Sequence, residues 1–345
     1  MKIVIEAKAI GYIPCGLREY TMQVCSRLVK RHPEDMTLTF IVPPGYQGCF
    51  GADAEYIEAG SIRSALLRRL PMVKADIFHA LHQLCKVKKL PGARHTLLTI
   101  HDINFQHTKT GRSYRHARRR FETRLQWATH LAFISRFAQA DVTEHFHPWQ
   151  PSEVIYNGVT PPDPAVQKRP ADVPDGPFLL HLSSLDKYKN ARLLVEMMEY
   201  LPDMHLVMAG NIKDTGLKQL VKPGGNVTLT GAVSEEEKTW LYSHCTAFLF
   251  PSKAEGFGLP PIEAMHMGKP VFLSTATSLP EVGGDAAFYW PELDPERMAS
   301  VLTEKLQHPH DPALLKAHAA TFSWDATADA YLRYYREIGS GSRCE

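Results

Sequence analysis

The sequence predicts an α/β fold of two domains, each built on a parallel sheet that is covered by helices. At 345 residues the chain is too long for one ordinary core, and it suits two domains of about 150–170 residues each. Short apolar segments alternate with helix-like segments along both halves, as in buried parallel strands joined by crossover helices. A proline-rich stretch, residues 160–177, lies between the halves. We therefore expect two Rossmann-like domains joined by a linker.

Each half contains six segments with the length and composition of buried strands. In the first half these are residues 3–5, 38–42, 76–80, 96–100, 130–134 and 154–156, and in the second half residues 178–182, 205–209, 226–229, 247–250, 271–273 and 286–289. The predicted domains are residues 1–164 and 165–322. Residues 323–338 are aromatic and amphipathic and predict a terminal helix. Asn157 and Gly158 predict a tight bend near the end of the first domain.

The composition is that of a globular protein in a reducing compartment. A charge at Glu6 interrupts the first apolar run, so we expect no signal peptide. No apolar run approaches the roughly 20 residues that span a bilayer. The cysteines lack Cys-x-x-Cys spacing, which favours free thiols in a cytoplasm over a disulfide framework or a zinc site.

The two halves carry opposite net charges. Residues 1–165 contain 22 Lys and Arg against 14 Asp and Glu, or +8, and the remainder contains 17 against 23, or −6, which sum to the net +2 of the whole chain. The basic first half is therefore expected to meet an anionic partner.

The segment from Glu255 to Glu263 has the pattern of a sugar phosphate site. It follows a short apolar run and leads into two prolines that suit the first turn of a helix. Gly256 and Gly258 allow a ligand to approach the backbone, and the free N–H groups of a helix start favour an anion. Glu255, at the loop, and Glu263, placed in the first helical turn, are acceptors for paired sugar hydroxyls.

The wider string in residues 251–271 contains Pro-Ser, Glu-Gly-Phe-Gly, Glu-Ala-Met and Gly-x-Pro-Val. It resembles the Glu-x7-Glu donor signature of retaining glycosyltransferases of family 4, of the bacterial surface-polysaccharide and lipopolysaccharide type. The resemblance implies the GT-B fold, in which two facing Rossmann-like domains enclose a cleft and a C-terminal helix crosses back onto the first domain. It also implies that the donor binds the second domain and the acceptor the first.

The resemblance assigns roles to donor-site residues. Lys189 falls on a lysine that contacts the donor diphosphate, and Asn190 is expected to cap the next helix. Ser184 stands where many members carry arginine, so Lys189 and the loop amides are expected to carry more of the leaving-group stabilisation. Glu255 would hold sugar hydroxyls and Glu263 the ribose. The other implied donor-binding residues are Gly16, Gly231, Val233, Gly256, Phe257, Gly258 and Leu259.

His101 completes the predicted catalytic group, which is His101, Glu255 and Lys189. An apolar strand delivers His101 at its carboxyl end, and Asp102 follows as an orienting partner. In similar transferases this histidine lies against the donor sugar. A buried structural pair of His101 and Asp102 is the alternative. His79 is expected to be structural. Its spacing to His82 would suit a pair of metal ligands, but no third ligand accompanies them, so no metal site is predicted.

Residues 111–127 predict a basic helix with apolar residues between its arginines. Such a helix suits anionic lipid headgroups or a phosphorylated acceptor, and the basic residues assigned to this contact are Arg115, Arg118, Arg119 and Arg120. A solvated basic face explains the pattern equally well. Nucleic acid is not expected, because no nucleic-acid-binding module accompanies the charge.

The predicted reaction transfers a hexosyl unit, mannose or glucose, from a nucleotide-diphosphate sugar to a hydroxyl of a glycan or lipid-linked acceptor, with retention. GDP-mannose and UDP-glucose are the first candidate donors. No Asp-x-Asp occurs, so we expect a metal-independent enzyme without a required cofactor. The alternatives are a GT-B synthase that uses a soluble sugar phosphate and a non-catalytic nucleotide-sugar sensor. The expected location is the cytoplasm, with peripheral attachment to the inner membrane face if the basic helix binds lipid.

Overall fold

The computed structural model describes the chain except residues 14, 61–73, 86, 88, 215 and 342–345. The chain divides into two compact units. The first unit consists of Met1–Gly158 together with the chain from Ser323 onward, and the second consists of Val159–Phe322. Residues 155–178 form neither helix nor strand, as their prolines lead one to expect.

The first unit contains a seven-stranded parallel sheet in the order β3-β2-β1-β4-β5-β6-β7. Its strands are β1 (Lys2–Glu6), β2 (Thr37–Val42), β3 (Glu55–Glu58), β4 (Ala75–Ala80), β5 (Ala93–Ile100), β6 (His130–Phe133) and β7 (Ser152–Val154). Alternate residues of β1 enter separate cores, with Ile3 and Ile5 in one and Val4 in the other. Both faces of the sheet are therefore covered.

Two strands of this sheet differ from the sequence prediction. The edge strand β3 was missed because only Ile57 in it is buried, so no apolar run marks it. The strand predicted over 154–156 is β7, which lies two residues earlier at Ser152–Val154. All three residues of β7 are only half-buried, which explains why hydrophobicity located it poorly.

Four α-helices in the described part of the first unit lie between its strands. They are α1 (Gly16–Arg31), α2 (Phe105–Thr108), α3 (Gly111–Trp127) and α4 (Arg136–Phe146). The predicted basic helix is α3, with the predicted bounds.

The second unit contains a six-stranded parallel sheet in the order β10-β9-β8-β11-β12-β13. Its strands are β8 (Leu179–Leu182), β9 (Leu206–Ala209), β10 (Val227–Gly231), β11 (Ala247–Phe250), β12 (Val271–Ser274) and β13 (Phe288–Trp290). Its helices are α5 (Ala191–Met197), α6 (Leu217–Leu220), α7 (Glu235–His244), α8 (Leu259–His266), α9 (Leu279–Gly283), α10 (Pro295–Gln307) and α11 (Pro312–Ala320). Each predicted strand of this half is present.

The last helix, α12 (Trp324–Ser340), returns to the core of the first unit. Its buried face packs against α1 and β4. That face consists of Trp324, Ala328, Tyr331, Leu332, Tyr334, Tyr335 and Ile338. The start of α12 passes very close to Gly158, where an added Cβ would lie 2.1 Å from the backbone nitrogen of Trp324. Only glycine fits that approach.

No helix in the described part of the chain is long and apolar enough to span a membrane. The five described cysteines, Cys15, Cys25, Cys49, Cys85 and Cys245, are free thiols.

Candidate active site

The strand order of the second sheet reverses between β8 and β11, which lie side by side. Ligands of open α/β sheets bind at such a switch point, outside the carboxyl ends of the strands. The turn after β8 carries Lys189, and the loop after β11 carries Glu255. Two of the residues predicted as catalytic therefore lie where this architecture binds ligands.

The loop between β11 and α8 is held by side chains that follow β12. The buried Ser278 hydroxyl lies 3.1 Å from the Glu255 carbonyl oxygen and 2.9 Å from that of Phe257, and it donates to them. The Thr277 hydroxyl accepts from the Glu255 N–H at 3.0 Å. Gly258, with φ of 106°, turns the loop into α8, a conformation that L side chains rarely adopt. No side-chain hydrogen bond from the described residues caps the start of α8. Because Pro260 and Pro261 lack an N–H, the N–H groups that suit an anion there are those of Gly258 and Leu259.

Lys189 and Glu255 form a buried ion pair. The Lys189 Nζ donates to the Glu255 Oε1 at 2.6 Å, and the two side chains are 12% and 11% exposed. The ammonium also lies over the rings of Tyr188 and Phe250, 5.1 and 5.3 Å from their centroids. Burial by itself lowers the pKa of Lys189, but the Glu255 carboxylate outweighs it and the pKa is raised. Lys189 is thus a fixed positive charge at the switch point.

Glu263 is held by two donors from α7. The Tyr242 hydroxyl donates to Oε2 at 2.8 Å, and the Lys238 Nζ donates to Oε1 at 3.3 Å. Burial and the nearby carboxylate raise the pKa of Tyr242 well above its ordinary value, so its hydroxyl stays a donor. A carboxylate has about four lone-pair sites, so Glu263 retains acceptor capacity. It is the fifth residue of α8, in the second helical turn rather than the predicted first.

The turn after β8 differs from the prediction in one detail. Asn190 does not cap α5 with its side chain, because its backbone is left-handed at φ of 60° and side-chain capping requires an extended residue. Its Nδ2 is buried and has no hydrogen-bond partner among the residues that the structure describes. Ser184 donates to the Asp186 Oδ2 at 2.6 Å, and that oxygen also accepts from the Lys213 Nζ at 3.1 Å.

The remaining donor-binding candidates of the second unit lie at the same sheet edge. Gly256 and Phe257 lie in the loop, Leu259 begins α8, Gly231 ends β10, and Val233 lies two residues beyond it. Gly231 has φ of 73°, and an added Cβ would meet nothing within 4 Å. Its backbone conformation, and not crowding, explains the glycine.

His101 lies in the first unit, directly after β5, and is 8% exposed. Its Nε2 lies 3.0 Å from the Leu81 carbonyl oxygen, and its backbone N–H donates to the Gln83 Oε1 at 3.0 Å. The Tyr20 ring packs edge-on against the imidazole, with centroids 4.6 Å apart. Burial lowers the pKa of His101 to about 4, although the Leu81 contact opposes the shift. The ring is therefore neutral at pH 7, with the proton on Nε2.

The contacts that orient His101 differ from the predicted ones. Asp102 was expected to orient the ring, but the Nε2 proton is directed to Leu81 and the Asp102 Oδ1 accepts from the Asn104 N–H at 2.9 Å. Gly16 is the first residue of α1, and an added Cβ there would meet nothing within 4 Å.

The switch point of the first sheet, between β1 and β4, holds a buried polar cluster of Glu6, His82 and Cys85. One ligand-type atom from each lies within 4.8 Å of the others, the one such group of three in the described residues. No sequence pattern predicted Glu6 and Cys85 beside His82. The Cys85 thiol donates to the Glu6 Oε2 at 3.0 Å, and the His82 Nδ1 accepts from the Leu84 N–H at 3.1 Å. Both groups thus present protons rather than lone pairs, as in a hydrogen-bonded cluster.

Helix α3 has one strongly basic face. The exposed basic residues on this face, here called the basic stripe, are Arg112, Arg115, His116, Arg119 and Arg120. Among the described residues, no carboxylate lies within 4.0 Å of these arginines. Arg118, which was also predicted to make this contact, is only half-exposed and is not counted in the basic stripe. It donates to Glu122 and Tyr114 at 2.8 and 3.0 Å and stacks over Phe146.

Four supporting residues were missed in the sequence, namely Lys238, Tyr242, Thr277 and Ser278. Lys238 and Tyr242 are four residues apart and therefore share a face of α7, but that spacing does not say which carboxylate they meet. Thr277 and Ser278 act through hydroxyls on a short segment without periodicity. These contacts depend on tertiary packing.

The chain is similar to known glycosyltransferases. Residues 164–320 match the family model of glycosyl transferases group 1. The O-antigen chain mannosyltransferase B of Escherichia coli is 25% identical over 97% of this chain and all of its own length. The O-antigen chain mannosyltransferase RfbU of Salmonella typhimurium is 25% identical over 94% of this chain and 96% of its own length.

The fold agrees with that of solved structures. Anabaena HepE, in a complex with UDP and glucose, superposes with a TM-score of 0.70 at 17% identity over 98% of this chain and all of the solved chain. The two parallel sheets and this similarity identify the fold as GT-B.

Proposed function

We propose that this chain is a retaining hexosyltransferase that moves mannose or glucose from a nucleotide-diphosphate sugar to a hydroxyl of a growing surface glycan. Two relatives aligned along nearly the whole chain are O-antigen mannosyltransferases, and the chain is accordingly a glycosyltransferase of bacterial polysaccharide synthesis. The observation that carries the donor-site proposal is the buried ion pair of Lys189 and Glu255 at the switch point, next to the start of α8.

The donor diphosphate is assigned to Lys189 and to the N–H groups at the start of α8. Both are fixed before the ligand arrives, and fixed donors stabilise a leaving anion without reorganisation. Glu255 is assigned to sugar hydroxyls, and Glu263, oriented by Tyr242 and Lys238, to the ribose. Gly231 and Val233 are assigned to the nucleotide base.

Retention is proposed to follow from attack on the same face as the leaving group. The acceptor oxygen bonds to the anomeric carbon while the bond to the diphosphate oxygen breaks, and the acceptor proton passes to the departing phosphate. No enzymatic nucleophile is assigned, and no metal or other cofactor is needed for this step. His101 is proposed to contact the transferred sugar as a neutral imidazole.

Mannose is the favoured sugar because both full-length relatives are mannosyltransferases. Glucose is the second candidate, since HepE was solved with UDP and glucose. The acceptor is assigned to the first unit, whose sequence carries the excess of basic residues.

A thermal-shift screen against UDP, GDP, ADP and their common sugars tests the donor site. Saturation at about 100 Kd should stabilise the folded protein by about 2.7 kcal/mol, and we expect one nucleotide to raise Tm selectively. Glu263→Ala should abolish that shift, because it removes the proposed acceptor for the ribose hydroxyls. Glu304→Ala, an exposed change on α10, should retain it. The donor assignment fails if no nucleotide raises Tm.

The basic stripe is proposed to hold the protein at an anionic membrane surface, where a lipid-linked acceptor resides. Its members recur at helical spacing on one side of α3. The exposed Trp127 lies at the end of the same helix, and the Lys89 Nζ lies 4.8 Å from its ring centroid. Exposed tryptophan beside basic side chains is typical of protein that lies at the headgroup level.

Vesicle sedimentation distinguishes a lipid-linked acceptor from the soluble sugar-phosphate alternative. The triple variant Arg115→Gln, Arg119→Gln, Arg120→Gln should bind vesicles of 30% anionic lipid about 100-fold more weakly, since each near-surface basic residue contributes about 1 kcal/mol. Arg118→Gln on the same helix is the matched control and should sediment like the wild type, because Arg118 faces Glu122 and Phe146. If the triple variant bound vesicles as tightly as the wild type, the basic stripe would be a solvated face without a role in membrane binding, and the soluble acceptor would be favoured.

A further inference from the structure

A continuous chain of buried hydrogen bonds runs through the first unit from α12 to α1. The Tyr335 hydroxyl lies 2.6 Å from the His79 Nδ1, and the His79 Nε2 lies 2.8 Å from the Thr99 Oγ1. Thr99 contacts the Tyr331 hydroxyl at 2.9 Å, and Tyr331 contacts the Tyr20 hydroxyl at 2.6 Å. The five side chains belong to four elements, α12, β4, β5 and α1.

The side chains in this chain of hydrogen bonds are buried and depend on one another for their hydrogen bonds. Each of the five side chains is at most 1% exposed, so water does not replace a broken contact. Burial and the proximity of His101 lower the pKa of His79 to about 3. His79 is therefore neutral, and one ring nitrogen donates while the other accepts. A lost hydroxyl would leave a buried partner unsatisfied, which is strongly disfavoured.

The chain of hydrogen bonds ends at Tyr20, whose ring contacts His101. Tyr20, its last member, packs its ring edge-on against His101 with an interplanar angle of 81°. Trp324, the first residue of α12, packs its ring against the Tyr20 ring, with the two centroids 5.9 Å apart. Helix α12 thus contacts Tyr20 through Trp324 and Tyr331. Among the described residues, Tyr20 is the one aromatic ring that packs against the imidazole of His101, and the Leu81 carbonyl oxygen accepts from its Nε2.

We propose that Tyr20 and Tyr331 are positioning residues for His101, and that α12 sets the orientation of this imidazole through their linked hydroxyls. The proposal rests on the proposed role of His101 in sugar transfer. It extends that role to the last helix of the chain.

Helix α12 offers a matched pair of variants. Tyr331→Phe removes the hydroxyl that joins Tyr20 to Thr99 and retains the ring. Tyr334→Phe removes an equally buried hydroxyl, 3.2 Å from the Leu131 carbonyl oxygen and 3.3 Å from that of Pro151, outside the chain of hydrogen bonds. Both variants should lose similar stability, so a difference in turnover reports on position rather than on folding.

Kinetics of the full-length protein provide the first test. Tyr331→Phe should lower kcat about tenfold with the donor KM unchanged, whereas Tyr334→Phe should stay within about twofold of the wild type. In a His101→Ala background, Tyr331→Phe should cause no further loss. Equal effects of the two tyrosine variants, or an undiminished effect of Tyr331→Phe without His101, would overturn the proposal.

A readout independent of turnover separates this inference from the proposed function. Long-range ¹H–¹⁵N spectra should show a shifted His101 ring signal in Tyr331→Phe and an unchanged one in Tyr334→Phe. If the protein transfers no sugar but the spectra behave in this way, the positioning stands and the proposed function fails. If transfer is normal and the His101 signal is the same in both variants, the positioning proposal is wrong and the proposed function stands.

Discussion

Lys189→Met should lower kcat by about 10²–10³-fold, which is the usual effect of removing one fixed group that stabilises a developing anion. The Lys189 ammonium lies at the switch point of the second sheet, and Glu255 keeps it cationic. Methionine preserves the length and most of the volume of the side chain, so the loss should lie in the chemical step. Initial rates at saturating donor measure it.

The single variant also leaves Glu255 buried without its partner, which can cost about 3–5 kcal/mol of stability. The double variant Lys189→Met, Glu255→Gln removes both charges and is the control. Its free energy of unfolding in urea should recover toward the wild-type value, because replacing a whole buried pair is often neutral. Its kcat should remain low. A double variant that regained the wild-type rate would contradict the assignment of Lys189 to the leaving group.

Gly158→Ala should destabilise the first unit severely, by more than about 4 kcal/mol. The added Cβ would lie 2.1 Å from the nitrogen and 2.4 Å from the Cα of Trp324, and 2.6 Å from the carbonyl carbon of Ser323. These are backbone atoms, which cannot move aside as a flexible side chain can. The start of α12 would have to shift and withdraw Trp324 from the core.

Thermal unfolding followed by tryptophan fluorescence checks this result. Gly16→Ala is the control for a glycine-to-alanine change, since its Cβ would meet nothing within 4 Å at the first residue of α1. That variant should unfold within about 1 kcal/mol of the wild type. A Gly158→Ala protein with the wild-type Tm would contradict the close contact between the Gly158 backbone and the start of α12.

The sequence predicted best those elements whose side chains are buried and therefore form an apolar run. The strand at Ala247–Phe250 was located to the residue because all four of its side chains are buried and form one apolar run. The strand at Glu55–Glu58 was missed because a sheet edge needs little burial. The glycine loop and its helix were predicted from Gly258 and the two prolines, whose backbone requirements are local.

The partners of the site residues were beyond sequence reasoning. That Lys189 bonds to Glu255, 66 positions away, follows from the adjacency of β8 and β11. The pairing of Tyr242 with Glu263 likewise needs the packing of α7 on α8. At Asn190 the predicted contact does not form, because this residue, although of a type that often caps helices, adopts a left-handed backbone and does not cap α5. The placement of functional side chains was thus predicted better than the contacts that orient them.

The return of α12 to the first unit also fixes the order in which the protein can mature on the ribosome. The chain up to Gly158 emerges first, but its core lacks Trp324, Tyr331 and Tyr335 until the last helix appears. At 5–20 residues per second the intervening unit takes roughly 10–30 s to synthesise. That unit is continuous in sequence and can fold as soon as it is synthesised. During this time the first unit still exposes the apolar surface that α12 later covers. The half of the protein made first is completed last.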